Sequence, residues 1–313
     1  SELAGETHAK AKALMRQLEQ DLAMVLVAVS KPDDVILSNL PPSGQLRKHW
    51  IDRGIELPEF FALDQRKKLL ERKLQDCKPW AWTPKNHEIA NSFNSSLRYP
   101  SNRWQAEQAP LYRKSWGISK MKMWMAEGTD PNKIPDWFAR PGVLGSPVSN
   151  LLEVESLLHD FECRGYSHAV YKTDLGAAGR GQRTIACGLP MAENDLRWLE
   201  TEFAGSQESD SSPRGVLEPK LSRRVDISFL WNFDLQQQAL DFMGWTQPMV
   251  SGNRRFSGTV LGAPFSKCDL ETRRFLLEDR CARLQRTERW LAEHLNQVSV
   301  SYTHLRAHET FAN

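Results

Sequence analysis

The chain has 313 residues, 40% of them hydrophobic and 9% aromatic, which is enough for one large core or two moderate ones. Its 41 lysines and arginines nearly balance 39 acidic residues, so the overall charge favours neither nucleic acid nor a membrane as partner. Five widely spaced cysteines argue against a disulfide framework or a zinc site and favour a reducing cytoplasm. Because the longest apolar run, Leu22–Val29, is too short to cross a bilayer, we expect neither an anchor nor a signal peptide.

The first part of the chain alternates helix and strand patterns. Helix formers with apolar residues at helical spacing predict an amphipathic helix over Ala9–Ala28. A β-branched strand follows at Asp33–Ser38, and after a turn rich in proline and glycine, Gly44–Gly54 returns to a helix. Strand, turn and helix in this order form the unit of a parallel layer, so we predict an N-terminal α/β domain over residues 1–130.

A cluster of tryptophans lies in the second half of that region and just beyond it. Such rings can stack on bases or sugars, but most tryptophans simply fill cores. We therefore interpret the cluster as packing rather than recognition. Its six members are Trp80, Trp82, Trp104, Trp116, Trp124 and Trp137.

Residues 131–148 are rich in proline and glycine, which predicts a linker to a second domain over residues 149–299. That domain is predicted to begin with a helix capped by Ser149 and to end with a long amphipathic helix over Arg273–Leu295. The elements predicted between them are a strand to Lys172, a glycine loop, a strand at Arg183–Cys187, a helix at Asp195–Phe203, and strands at Val216–Leu217 and Val225–Trp231.

The glycine loop carries the first chemical signal. Lys172 ends the preceding strand, and the loop offers bare backbone N–H groups at Gly176, Gly179 and Gly181, a combination that suits a polyphosphate. A glycine cluster alone is usually a flexible turn. This one is not a P-loop, whose lysine follows the last glycine, nor a dinucleotide fingerprint, which opens a helix. In protein kinases the lysine also follows the loop, and neither H-R-D nor D-F-G occurs here.

A second segment strengthens that signal: Gly215-Val216-Leu217-Glu218-Pro219-Lys220-Leu221, followed by Val225-Asp226-Ile227-Ser228. A lysine, a glycine lid and an acidic strand end in this order resemble the nucleotide site of the ATP-grasp superfamily, whose members mostly join a carboxylate to an amine at the cost of ATP. The resemblance covers about residues 114–295. It implies an α/β (α+β) chain, in which a parallel pre-ATP-grasp domain precedes a partial ATP-grasp domain.

The resemblance also implies roles for individual residues. Lys172 would hold the α- and β-phosphates of ATP, and the glycine loop would close over the β- and γ-phosphates. Glu218 and Asp226 are the candidates for the ribose hydroxyls, and Leu221 would line the adenine. Taken alone, Glu218 would be interpreted as half of a surface ion pair.

Two further positions stay open. A second lysine of the family matches either Lys114 or Lys120, and the sequence does not choose between them. In Ser251–Gly258, an arginine pair in a glycine-bounded turn can clamp a carboxylate or a transferring phosphoryl group, and of the pair we prefer Arg254 as the catalytic candidate. An exposed hairpin tip with solubilising charges explains this segment equally well.

One departure from the family concerns magnesium. Family members bind Mg²⁺ through an acidic residue and a later Glu-x-Asn pair, on strands that follow the helix matched by Arg273–Leu295, and this chain has no such pair there. Ser301–Thr310 resembles a translated sequencing-adapter peptide, so we expect a non-native tail over residues 300–313 of a truncated chain. A frayed native C-terminus and a lost metal site are the alternatives.

The sequence therefore predicts an ATP-binding protein, part of an ATP-dependent carboxylate-amine ligase that acts through an acyl phosphate on small-molecule carboxylate and amine substrates. Mg²⁺ is expected for the full-length protein. The alternative is a catalytically inactive nucleotide-binding scaffold or sensor with the same fold. Nucleic-acid binding through tryptophan and arginine clusters is least favoured at a net charge of +2.

Overall fold

The structure of the protein is a computed structural model that divides into two compact units, Ser1–Ala109 and Pro110–Asn313. It describes residues 17, 20–79, 83–93, 110–127, 137–138, 140–176, 181–204, 212–234, 239–250, 256–260, 265–266, 268–297 and 306–312. The described part of the predicted linker 131–148 includes a short 3-10 helix, Pro141–Val143, and a strand of the second unit.

The first unit is an α/β layer, as the sequence predicts. Its strands β1 (Val35–Ser38) and β2 (Glu59–Ala62) pair in parallel, and helix α1 (Gly44–Ile51) lies between them in the chain. Helix α1 begins at Gly44 because the Ser43 side chain accepts a hydrogen bond from the Leu46 N–H at 3.2 Å. The remaining described helices are residues 20–25, the 3-10 helices Leu26–Ala28 and Leu63–Leu69, and α2 (Pro84–Ser92).

A small core holds the first unit together. Leu69 and Phe93 are buried, and Phe61 of β2 packs against them. Between α1 and β2 an open groove of about 600 Å³ is lined by Arg47, Ile51 and Phe60 among others. The part of the predicted helix Ala9–Ala28 that precedes Gln17 lies outside the described residues.

The second unit contains a four-stranded antiparallel sheet, which we name the hairpin sheet. Its elements are β3 (Ser146–Val148), α4 (Leu151–Cys163), β4 (His168–Thr173), β5 (Gln182–Ala186), α5 (Glu193–Phe203) and β6 (Gly215–Pro219), and the strand order is β3-β6-β4-β5. Helices α4 and α5 cover one face of the sheet, because Val154, Phe161 and Leu199 of the helices are buried in the same core as Ala169 and Tyr171 of β4.

Helix α4 corrects one prediction. Its N-cap is Asn150, whose side chain accepts from the Glu153 N–H at 3.0 Å, and not Ser149. Ser149 instead donates its backbone N–H to the Glu153 carboxylate at 2.7 Å. The two contacts form a reciprocal capping arrangement, and both residue types suit a cap, so the sequence misplaced the helix start by one residue.

A second antiparallel sheet is formed by β7 (Arg223–Asp234), β8 (Ala239–Val250), β9 (Phe256–Val260) and β10 (Arg306–Ala312), in the strand order β10-β7-β8-β9. The remaining helices of this unit are α3 (Lys114–Glu127), which precedes the hairpin sheet in the chain, and α6 (Leu270–Gln297). Val225, Ile227 and Phe229 of β7 are buried in a core with Leu284 and Leu291 of α6.

Two expectations from the sequence, for the tryptophans and for residues 300–313, concern this unit. Trp124 is a core residue at 4% exposure, in edge contact with Trp290, so packing is the correct interpretation for that tryptophan; Trp80, Trp82 and Trp104 lie outside the described residues. The expected non-native tail, residues 300–313, includes β10, which pairs with β7. Strand pairing uses backbone groups of a neighbour, which side-chain periodicity does not report. Among the described residues, no helix is long and apolar enough to cross a membrane.

Candidate functional site

Strands β4 and β6 bring a lysine and a glutamate together on the face of the hairpin sheet opposite α4 and α5. The register pairs Val170 with Glu218 and Lys172 with Val216, so both charged side chains point away from the face that α4 and α5 cover. The Lys172 ammonium forms an ion pair with the Glu218 carboxylate, and each side chain is 26% exposed. The ion pair is thus partly buried and lies beside the base of the glycine loop, which begins after Thr173.

The glycine loop closes on itself at its base. The Thr173 N–H donates to the Gly181 carbonyl at 2.7 Å, and the Gly176 N–H donates to the Thr173 carbonyl at 3.0 Å. Gly181 has a φ of +64°, and a Cβ there would lie 2.4 Å from Thr173 Oγ1. Glycine is therefore required at this position on two grounds, backbone conformation and space. Gly179 lies outside the described residues.

Lys114, at the start of α3, contacts the same loop. Its ammonium donates to the Thr173 carbonyl at 2.9 Å and to the Gly176 carbonyl. The pKa of Lys114 is lowered to about 8, chiefly by burial; Asp174 and Glu218 act against this fall, and neighbouring Lys172 adds to it. Of the two lysines that the sequence left open, the structure brings Lys114 to the loop. The Lys120 ammonium instead lies 4.0 Å from the Met123 sulfur.

Asp174, the first residue after β4, is a site residue that the sequence analysis missed. It is 3% exposed, and its carboxylate accepts from the Ser115 N–H at 2.7 Å and the Ser115 hydroxyl at 2.9 Å. The Arg113 guanidinium lies 3.3 Å from the same carboxylate. These partners are about 60 residues away in the chain, so no local motif could have indicated them.

The glutamate end of the ion pair also depends on a glycine. Gly145 has a φ of +78°, and a Cβ there would lie 2.7 Å from the Glu218 Cβ and 2.7 Å from the Leu217 carbonyl oxygen. The backbone before β3 thus packs directly against the end of β6, which is possible because glycine has no side chain. This contact holds the strand end on which Glu218 lies.

The remaining predicted residues lie on later elements. Leu221 follows β6 in the turn to β7, and Asp226 lies on β7 beside the core residues Val225 and Ile227. The Asp226 carboxylate is 3.4 Å from the Arg223 guanidinium, and its side chain is 16% exposed. Arg254 lies outside the described residues. The structure thus groups Lys172, Glu218, Gly176 and Gly181 and adds Lys114 to them.

The described residues contain no cluster of three metal ligands. Within that part of the chain, no three histidine, cysteine, aspartate or glutamate side chains converge on a point that could hold a metal ion. Mg²⁺ bound to a nucleotide usually takes only one or two protein carboxylates beside phosphate and water oxygens. We assign Mg²⁺ no ligand and derive no step through it.

Comparison with known proteins gives the fold. No protein-family model and no curated protein matches the sequence. The chain is similar to the biotin carboxylase domain of 2-oxoglutarate carboxylase from Hydrogenobacter thermophilus, solved with MgADP, ADP and bicarbonate, at 12% identity and a TM-score of 0.53 over 92% of this chain and 58% of that one. It is also similar to biotin carboxylase from Campylobacter jejuni in a β-γ-ATP complex, at 10% identity and a TM-score of 0.50 over 93% and 61%.

A third solved structure is N5-carboxyaminoimidazole synthetase from Staphylococcus aureus complexed with ADP, at 14% identity and a TM-score of 0.49, over 95% of this chain and 66% of that one. The chain thus spans about three fifths of the length of these structures. At such identities the likeness establishes the fold alone, and that fold is the ATP-grasp fold.

Proposed function

We propose that this chain binds ATP and forms part of an ATP-dependent carboxylate-amine ligase. The observation that carries the proposal is the convergence of Lys172, Lys114 and the closed base of the glycine loop on one end of the hairpin sheet. Structures with the same fold were solved with ADP or with β-γ-ATP, which supports a nucleotide as the ligand.

The charges and the backbone suit a polyphosphate. Lys172 and Lys114 supply two ammonium groups, and both are partly shielded from water, where a charge acts more strongly than at an open surface. The segment between Gly176 and Gly181 includes the small residues Ala177, Ala178 and Gly179, and its backbone N–H groups are proposed to bind the phosphates. In this proposal Lys172 holds the α- and β-phosphates, and the loop closes over the β- and γ-phosphates.

The rest of the nucleotide would follow the chain from β6 into β7. Glu218 and Asp226 are proposed to take the ribose hydroxyls, because carboxylates accept two hydrogen bonds from vicinal hydroxyls. Leu221, in the turn between these strands, is proposed to line the adenine. The Lys172–Glu218 ion pair would then join the phosphate and sugar ends of the site.

The proposed reaction has two transfers. A carboxylate oxygen of the substrate attacks the γ-phosphorus, the bond from that phosphorus to the bridging oxygen breaks, and ADP leaves with an acyl phosphate formed. The amine nitrogen then attacks the acyl carbon, phosphate leaves, and the nitrogen loses a proton to give the amide. Arg254 is proposed to steady the acyl phosphate, because a guanidinium can bind two of its oxygens.

A second candidate is a nucleotide-binding scaffold or sensor without ligase activity. The lack of a convergent metal-binding cluster among the described residues favours it, because phosphoryl transfer depends on neutralising the phosphate charge. It predicts ATP binding without turnover.

Two measurements on the full chain test the proposal. Calorimetric titration of ATP with Mg²⁺ present is expected to show saturable binding, and AMP is expected to bind at least about tenfold more weakly because it lacks the β- and γ-phosphates. Phosphate release is then measured with panels of carboxylates and amines. Release that requires one of each supports the ligase, binding without release supports the scaffold, and no ATP binding rejects both.

A further inference from the structure

We propose that Asp174 is a positioning residue of the nucleotide site, which fixes the N-terminus of α3, and with it Lys114, against the base of the glycine loop. The inference rests on the proposed function for its effect on ATP. Its structural half, the placement of Lys114, can be tested without any nucleotide.

The side chain of Asp174 replaces a local helix cap. The first N–H groups of a helix have no partner within the helix, and a side chain just before it usually supplies one. In α3 the carboxylate of Asp174 does this from another element, by accepting the Ser115 N–H and the Ser115 hydroxyl. A negative charge at this end of a helix is also favourable towards the helix dipole.

The backbone of Asp174 makes contacts in the same place. Its carbonyl accepts the Lys114 N–H at 3.1 Å, and its own N–H donates to the Arg214 carbonyl at 3.0 Å. Three chain segments therefore meet at this residue: the end of β4, the start of α3 and the segment that leads into β6. Because Asp174 directly follows Thr173, any shift of α3 is transmitted to the base of the loop.

The charge of Asp174 is held in a closed network. Its carboxylate is buried, and Arg113 supplies the nearest countercharge while also donating to the Pro213 carbonyl at 3.3 Å. The groups that face the Lys114 ammonium are Asp174, Lys172 and Glu218. Removing the Asp174 charge thus takes away the strongest of the interactions that favour the protonated form of Lys114.

The opposite side of the loop base provides a matched control. Thr173 Oγ1 lies 2.9 Å from the Glu202 carboxylate on α5, and this contact does not involve Lys114 or α3. The Glu202→Gln variant therefore perturbs the same loop base with the same loss of charge, but leaves the Lys114 contacts in place.

The test uses the full chain and two readouts. In ¹³C NMR titrations of labelled lysines, with Lys114 assigned through Lys114→Arg, Asp174→Asn is expected to lower the pKa of Lys114, whereas Glu202→Gln leaves it unchanged. ATP affinity at pH 8 is expected to fall about tenfold in Asp174→Asn and less than about twofold in Glu202→Gln. If Asp174→Asn does not fold, Ser115→Ala removes a single donor and is expected to shift the Lys114 titration in its place.

The Lys114 titration and the ATP affinities of the two variants can each contradict the positioning role of Asp174. An unchanged Lys114 titration in Asp174→Asn, or equal losses of ATP affinity in both variants, overturns the proposal, because a residue that only supports packing affects both alike. If the wild-type chain binds no ATP, the proposed function fails, and the Lys114 titration still accepts or rejects the positioning role.

Discussion

The ammonium of Lys172 and the carboxylate of Glu218 form an ion pair between neighbouring antiparallel strands, on the face of the hairpin sheet opposite α4 and α5. The two residues are separated by the whole of α5, and only the pairing of β4 with β6 brings them together. Our assignment of the phosphate and sugar ends of the proposed nucleotide site depends on this pair.

The Glu218→Gln variant tests the sugar end. We expect wild type to bind ATP more tightly than 2′,3′-dideoxy-ATP, because the carboxylate accepts the ribose hydroxyls. Glutamine keeps the shape of the side chain but loses its charge. The ratio of the affinity for ATP to that for 2′,3′-dideoxy-ATP is therefore expected to fall about tenfold. Competition calorimetry with both nucleotides measures it. A preference that survives intact in Glu218→Gln would remove Glu218 from the ribose site.

The pKa of Lys114 predicts how ATP affinity depends on pH. Burial lowers this pKa to about 8 in the free protein, and a bound polyphosphate favours the protonated amine, so the pKa is higher in the complex. The complex therefore binds more protons than the free protein. The affinity for ATP is therefore at its maximum below about pH 8 and falls as the pH rises above that value. Titrations from pH 7 to 9 measure the fall, and Lys114→Arg, which stays charged, should flatten it.

The Gly181→Ala variant tests the closed base of the loop. A methyl group would meet Thr173 Oγ1 at 2.4 Å, in a backbone conformation with φ of +64°. We expect a loss of about 1–3 kcal/mol in the free energy of unfolding, measured by urea denaturation. Gly117→Ala is the control: it lies in α3 with no atom within 4 Å of the new Cβ, so alanine should stabilise by about 0.5–1 kcal/mol. Equal effects of the two variants would argue against the loop geometry.

Tyr171 carries a buried hydroxyl that has no hydrogen-bond partner among the described residues. Burial raises the pKa of this phenol well above its usual value. Removing an unpaired buried polar group relieves its desolvation cost, so Tyr171→Phe is expected to raise the free energy of unfolding by about 1 kcal/mol. Denaturation beside Tyr166→Phe, at a half-buried tyrosine, measures the difference. A clear destabilisation by Tyr171→Phe would show that the hydroxyl is paired.

Local patterns predicted the elements that carry their own signals. The strands on either side of the glycine loop, the capped helix near Ser149 and the long helix over Arg273–Leu295 all appear within a few residues of their expected places. Helix α3 was not predicted, because apolar residues such as Trp116, Met121 and Met125 are distributed around it rather than along one face.

What the sequence could not indicate are contacts between distant segments. The choice between Lys114 and Lys120 depends on where α3 begins relative to β4, and that is decided by Asp174 and Ser115, which lie 59 residues apart. The close approach of Gly145 to Glu218 is likewise set by the pairing of β3 with β6. Such contacts follow from the packing of the sheet and have no local signature.

The most direct test of the central claim is calorimetric titration of ATP into the full chain, beside Lys172→Ala and the charge-matched control Lys67→Ala, at an exposed lysine of the first unit. We predict saturable binding to wild type and Lys67→Ala, and at least about tenfold weaker binding to Lys172→Ala. Equal affinities in all three proteins would contradict the assignment of Lys172 to the phosphates.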